Sequence, residues 1–336
     1  MFDDSPVSKE LFDYSDKKFG QVVTPKFLAK CCATVSCKLN RPRLSVLDIA
    51  PSRSFKTYTS NEVMRIFDSN FFVNVQSDFT MNSLKNYAGE LAKGRVLLIN
   101  DGTTLFASKA QRTKDRLVGG LSELLSDESY CYQDFGTKFS LEGKVTVILP
   151  LTSESFRNYK DRLLSLTFGE RFLTLHHVLT EMEQFEWVEK EERSKRMHFG
   201  RKITEDNIET DVHIPKNYFC HIRYLAQEFS YKSLRTVVGC QDIIKAVLMA
   251  HASLNKRKLV CHDDVKFLHL LKDYLIDPFS PHEGRIVKLR SQGYSISDIC
   301  KILDKPNYRY QVQTVIRKAT LRGILPPEKA PKRGEE

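Results

Sequence analysis

Val46-Leu47-Asp48-Ile49-Ala50-Pro51-Ser52-Arg53-Ser54-Phe55-Lys56-Thr57 is an apolar run that breaks into a loop of mostly small residues ending in Lys-Thr. Fitted to the phosphate-binding pattern G-x-x-x-x-G-K-[ST], it keeps Lys56 and Thr57 in place and replaces the two glycines with Ala50 and Phe55. In such a loop the backbone wraps a phosphate, here at Ala50, Ser52 and Ser54, and the next helix points its positive end at it. The lysine reaches the phosphate oxygens and the following hydroxyl holds Mg2+. Ala50 is a mild replacement. Phe55 is not, because a residue with a Cβ resists the positive φ that glycine takes freely. An ordinary strand–turn–helix connection ending in Lys-Thr gives the same pattern.

Working outward, Thr24-Pro25 reads as the start of a helix running to about Lys38, and residues 1–23 as a loosely packed lead-in. After the loop, a helix from Lys56 to Phe67, a strand at 71–75 and a helix from Met81 to Lys93 complete a βα alternation. Arg95-Val96-Leu97-Leu98-Ile99-Asn100-Asp101 is a buried strand ending in an acid, which makes Asp101 the candidate Mg2+ carboxylate beside Thr57. Gly102 stands where a water-polarising glutamate is expected. Lys109, Arg112, Lys114 and Arg116 form a basic cluster, followed by a helix to Leu125 and a polar span from Ser126 to Gly143. Another apolar strand, Lys144 to Pro150, ends at Thr152, placed to sense a terminal phosphate.

The chain has 336 residues, enough for two or three domains, and a net charge of +10 that points to an acidic partner, nucleic acid first. No apolar run approaches the roughly 20 residues that span a bilayer, and the acidic start is no signal peptide. The eight cysteines show no C-x-x-C pair, so buried free thiols in a reducing cytoplasm are expected rather than disulfides or zinc.

The order of loop, Asp101 strand, Val145–Thr152 strand and Gly169-Glu170-Arg171-Phe172 resembles the core of AAA+ ATPases. More narrowly, Leu98-Ile99-Asn100-Asp101-Gly102-Thr103-Thr104-Leu105, the basic helix, Gly143-Lys144-Val145 and the Gly-Glu-Arg-Phe run are similar to ATPases carried by phages and integrated elements. Those typically read Lys-Asp-Phe-Thr-Thr where this chain reads Asn100-Asp101-Gly102-Thr103-Thr104. The resemblance implies ATP and Mg2+ as cofactors, Asp101 as the metal-site acid, and Arg171 as a residue completing a neighbour's site in a homo-oligomer. Ser233-Leu234-Arg235, Ile243 to Leu254 and Lys258 to Val265 resemble a helical lid, as in minichromosome-maintenance helicases, in which an arginine placed like Arg235 reaches the nucleotide. His262 or Asp263 is expected to cap the helix near Asp264. His251 and His269 read as structural.

Beyond Asp277-Pro278, helices at 283–290, 296–303 and 311–322 separated by tight turns read as a helix-turn-helix, winged or not. Residues 281–336 hold 12 lysines and arginines against 6 acids, a net +6. Arg309, Gln311, Gln313, Thr314, Arg317 and Lys318 are expected to face DNA. A protein-docking module is the alternative for such a unit. The expected fold is thus α/β: a lead-in (1–43), an AAA+-like P-loop parallel-sheet core (44–178), a charged linker and lid (179–277), a helix-turn-helix (278–325) and a disordered tail (326–336). The expected function is ATP-dependent DNA processing, the alternative a catalytically inactive DNA-binding scaffold or adaptor.

Overall fold

The computed structural model describes the chain except residues 1–2, 41, 53, 76–82, 103–110, 127–128, 135–136, 143–144, 157, 159–170, 177–196, 234–235, 273–280, 322–324 and 326–336. The expected tail, Arg235 and most of the charged linker lie outside the described residues. Two compact units emerge, Met1–Gln227 with Arg235–Leu275, and Glu228–Leu234 with Ile276–Glu336.

The first unit is built on a parallel sheet. Helices α1 (Pro6–Phe19) and α2 (Thr24–Ser36) precede β1 (Ser45–Ala50), which leads into α3 (Lys56–Ile66). Then come β2 (Phe72–Val75), α4 (Ala88–Ala92), β3 (Val96–Ile99), α5 (Gln111–Ser126), β4 (Ser129–Asp134), β5 (Thr137–Glu142), β6 (Thr146–Thr152) and β7 (Phe172–His176). Five strands pair all-parallel in the order β2-β3-β6-β1-β7, and β4 and β5 form a separate antiparallel hairpin. β1 lies between β6 and β7, buried at all six residues, as expected of a parallel strand covered on both faces. Because the strands run the same way, the ends of β1, β3 and β6 open at one carboxyl edge, where open α/β sheets bind ligands.

Helices α6 (Phe219–Ser233), α7 (Val237–Leu254) and α8 (His262–Leu271) follow. α7 is long and apolar enough to cross a membrane, yet more than half of it is buried within the protein, and it packs on α2 and α8. Its His251 is a buried structural group: Nδ1 lies 2.6 Å from Asp264 Oδ1, while Arg257 donates to both oxygens of the same carboxylate. Asp264 also accepts from the Cys261 N–H at 2.6 Å, so α8 is capped at Cys261, one residue ahead of the expected His262 and two ahead of the expected Asp263.

Two other expectations are revised. The segment ahead of Thr24 is no loose lead-in, for α1 buries Leu11, Tyr14 and Lys18. The single helix expected over 81–93 is a 3-10 turn at Ser83–Tyr87 followed by the short α4, consistent with the poor helix propensity of Asn86 and Gly89.

In the second unit, α9 (Pro281–Ser291), α10 (Ile296–Ile302) and α11 (Arg309–Leu321) enclose a small core of Ile286, Val287, Ile299, Cys300, Val312, Val315, Ile316 and Leu325. Gly293 at φ 92° and Asp304 at φ 52° make the turns between them. Ser295 caps α10, its hydroxyl accepting from the Asp298 N–H at 3.2 Å.

Candidate phosphate-binding site

The loop between β1 and α3 takes the glycine-like conformation without the glycine. Phe55, the residue before α3, sits at φ 65°, ψ 1°, in the left-handed region. A residue with a Cβ loses about 1–2 kcal/mol there. The phenyl ring is 8% exposed, and burying it recovers about 1.5–3 kcal/mol. The Phe55 carbonyl also accepts from the Thr59 N–H and hydroxyl, each at 2.8 Å. Positive φ is therefore reached at Phe55, against the resistance expected of its Cβ, because its side chain is anchored in the core.

Lys56 begins α3 and turns its amine back onto the loop, donating to the carbonyls of Ala50 at 2.7 Å and Pro51 at 2.5 Å. The Ser54 hydroxyl donates to the same Pro51 carbonyl, and Ser52 is exposed. Burial pushes the Lys56 amine down to about 8, with Lys26 and Lys30 acting the same way and Asp48 opposing. A partly desolvated ammonium held by weak carbonyl partners is readily drawn to a phosphate.

Thr57 is exposed and its hydroxyl lies 3.4 Å from the Asn100 carbonyl, which ties the start of α3 to the end of β3. Asp101, the next residue, is exposed at that edge. The Asn100 Oδ1 is buried with no hydrogen-bond partner among the described residues. A hydroxyl, an orphaned amide oxygen and a carboxylate make an all-oxygen donor set, which fits a hard cation such as Mg2+.

Gly102 explains the missing glutamate. Its N–H donates to the Pro150 carbonyl at 2.9 Å, and a Cβ there would lie 2.5 Å from both that oxygen and Leu149 Cδ1. The chain after β3 is pressed against β6, so position 102 has no room for a side chain of any kind. Thr152 pairs in register with Ala50, and its hydroxyl bonds Ser155 at 2.8 Å.

The structure does not bring Arg171 to this site. Arg171 directly precedes β7, whose Phe172 pairs with Ser45 at the amino end of β1. The length of β1 therefore separates it from the loop, roughly 17 Å at 3.3 Å per residue. It has no part in the site of its own chain.

Sequence reading missed what lies beneath the loop. Asp48, in the middle of β1, is fully buried, with Lys26 Nζ 2.6 Å from one oxygen and Lys30 Nζ 2.7 Å from the other. Burial alone works against the charged form, but the two ammonium groups hold the Asp48 carboxyl far below the usual range. Lys30 also donates to the Lys56 carbonyl at 2.8 Å, Thr59 Oγ1 at 2.7 Å and Ser60 Oγ at 3.0 Å, fastening the first turn of α3 to α2. One turn on, Lys18 of α1 meets Glu62 of α3 at 3.1 Å, and Tyr14 donates to the same carboxylate. A carboxylate inside an otherwise apolar strand, preceded by lysines four apart on one helix, was the available signal.

In the second unit, Arg309, Gln311, Gln313, Thr314 and Arg317 are exposed on α11 while Val312, Val315 and Ile316 face the core. The Lys318 side chain lies outside the described residues. Thr314 spends its proton on the Tyr310 carbonyl at 2.9 Å. Tyr310, which the sequence reading passed over, is 79% exposed beside Arg309.

Among the described residues no group of histidine, cysteine and acids is placed to hold a metal, and the cysteines are free thiols. Cys31, Cys32, Cys37, Cys240 and Cys300 are buried, whereas Cys131 and Cys220 are exposed. Compared with known proteins, the sequence matches no family model and no curated protein.

Proposed function

We propose that the chain binds a nucleoside triphosphate, ATP by the resemblance, at the β1–α3 loop, and DNA through the basic face of α11. The observation that carries the nucleotide reading is the left-handed Phe55 with the Lys56 amine folded onto the loop carbonyls. Both features favour an anion at the loop although the sequence lacks the glycines. In this reading Lys56 exchanges two carbonyl contacts for phosphate oxygens, and the N-terminus of α3 adds its dipole. Thr57, Asn100 and Asp101 would hold Mg2+, which supplies charge neutralisation on the phosphates. Lys30 and Asp48 keep the first turn of α3 in place beneath them.

The test is equilibrium binding of a fluorescent ATP analogue with Mg2+ to the wild type and to Lys56→Ala. Micromolar binding lost in the variant supports the site; equal binding, or none, refutes it. Gly102 favours the second reading, in which nucleotide is bound with little or no turnover, because the position of a water-polarising side chain is sterically closed. Phosphate release no faster than that of Lys56→Ala, in a protein that binds the analogue, is the outcome expected. For DNA, the net +6 of residues 281–336 and the exposed Arg309 and Arg317 support the reading over a protein-docking module.

A further inference from the structure

At the amino edge of the sheet, on the far side from the loop, a cleft of about 460 Å³ opens beside the start of β7 and the start of α7. That volume falls in the range of small-ligand pockets. Leu125, Val145, Val238 and Ile243 give it an apolar lining, and Arg43, Arg171 and Lys245 give it positive charge. The sole acid among the lining residues, Asp242, is largely exposed and lies 3.8 Å from Lys245 in a loose pair one helical turn apart.

Arg171 is the anomaly. The residue is half-buried, its Nε is shielded from solvent, and its guanidinium makes no hydrogen bond or ion pair among the described residues. The other deeply placed cations are matched: Lys26 and Lys30 share Asp48, Lys18 meets Glu62 and Arg257 meets Asp264. A partly desolvated guanidinium with no acceptor is costly to keep. It is also rigid, planar and suited to bidentate pairing with a carboxylate or phosphate. The N-terminus of α7 adds partial positive charge at the same place, where the Thr236 hydroxyl accepts from the Gly239 N–H at 3.1 Å.

We propose that this cleft binds a small amphipathic anion, a carboxylate or phosphate carried on an apolar body, with Arg171 as the group that pairs its charge. The site is distinct from the phosphate loop and does not depend on it. A phosphate presented by a second copy of the chain is the other anion that Arg171 could meet, and the test separates the two.

The full-length chain is titrated calorimetrically with 1-naphthoate and with 1-naphthalenemethanol, a neutral probe of nearly the same shape. The expected result is 1:1 binding of the carboxylate at least tenfold tighter than that of the alcohol, at protein concentrations where ultracentrifugation shows a monomer. The preference is lost in Arg171→Met and kept in Lys56→Ala. Arg171→Met without ligand melts at or above the wild-type temperature, since an unpaired charge has been removed from a partly buried place. Equal binding of the two probes, no binding, or a preference surviving Arg171→Met overturns the proposal. So does a preference seen only when the chain self-associates, which would assign the anion to a second copy. A clear drop in the melting temperature of the unliganded variant also overturns it, because Arg171 would then be held by the protein itself.

Discussion

Raising the pH from 7 to 9 should weaken nucleotide binding about tenfold if Lys56 is the residue that meets the phosphate. The amine titrates near 8 because it is partly buried. About nine-tenths of it is therefore protonated at pH 7 and about one-tenth at pH 9, and affinity falls with that fraction when the neutral amine contributes nothing. Phosphate groups titrate near 6 and stay fully charged across this window, so the change belongs to the protein. The stability of the free protein should move the other way. The folded amine releases its proton near 8 and the unfolded one at its ordinary 10.5, so between these values the unfolded chain holds more protons. Folding stability contributed by this group then rises with pH while affinity falls. The measurement is a fluorescence titration with the ATP analogue and Mg2+ at constant ionic strength, beside denaturant midpoints for wild type and Lys56→Ala at each pH. A flat affinity between pH 7 and 9, or a wild-type minus variant stability difference that does not grow with pH, refutes the role given to Lys56.

Asp48→Asn strands two buried ammonium groups and should cost about 3–5 kcal/mol, read from the denaturant midpoint, whereas replacing all three of Lys26, Lys30 and Asp48 with apolar residues should cost much less. Gly102→Ala forces a Cβ to within 2.5 Å of the Pro150 carbonyl and should destabilise the fold by about 1–3 kcal/mol in the same assay. Arg317→Ala should weaken binding to any duplex and lower the slope of log affinity against log salt by about one, measured by fluorescence anisotropy; an unchanged slope would mean that Arg317 touches no phosphate.

Four of the five strands were legible because they are short, largely apolar runs, and β1, β3 and β6 are buried along almost their whole length, whereas β7 was passed over. The β4–β5 hairpin was not, although Tyr130 and Tyr132 alternate with polar residues and Phe135-Gly136 separates the strands. Its polarity disguised it as a loop. Lys56 and Thr57 were singled out from the loop pattern and Asp101 from its place at the end of a buried strand, and the structure sets the three at one edge of the sheet. The conformation of Phe55 was misjudged because local preference counts against it, while the burial that compensates is a tertiary effect. The lysines of α1 and α2 escaped notice for the same reason. Lysine in a helix ordinarily signals solvent, and only the fold reveals that Asp48 and Glu62 wait opposite.

In the proposed reading, turnover of a bound nucleotide depends on what activates water at the carboxyl edge. Position 102 is closed, since the chain there lies in contact with β6. Thr152, opposite Ala50 in the ladder, commits its hydroxyl to Ser155. His176, at the end of β7 beside Ile49, is kept toward the neutral form by burial and by Lys26, so it has the protonation state of a base. It nevertheless sits one strand beyond β1, on the side away from β3 and Asp101. Among the described residues the edge therefore offers groups to hold phosphates and a cation, and its exposed carboxylates include Asp101 and Glu154, the latter two residues past the end of β6. In the proposed reading, that arrangement leaves any turnover to Glu154. It also gives Gly102 a reading of its own: the close contact between β3 and β6 that shuts out a catalytic side chain fixes the backbone on which Asn100 and Asp101 are presented.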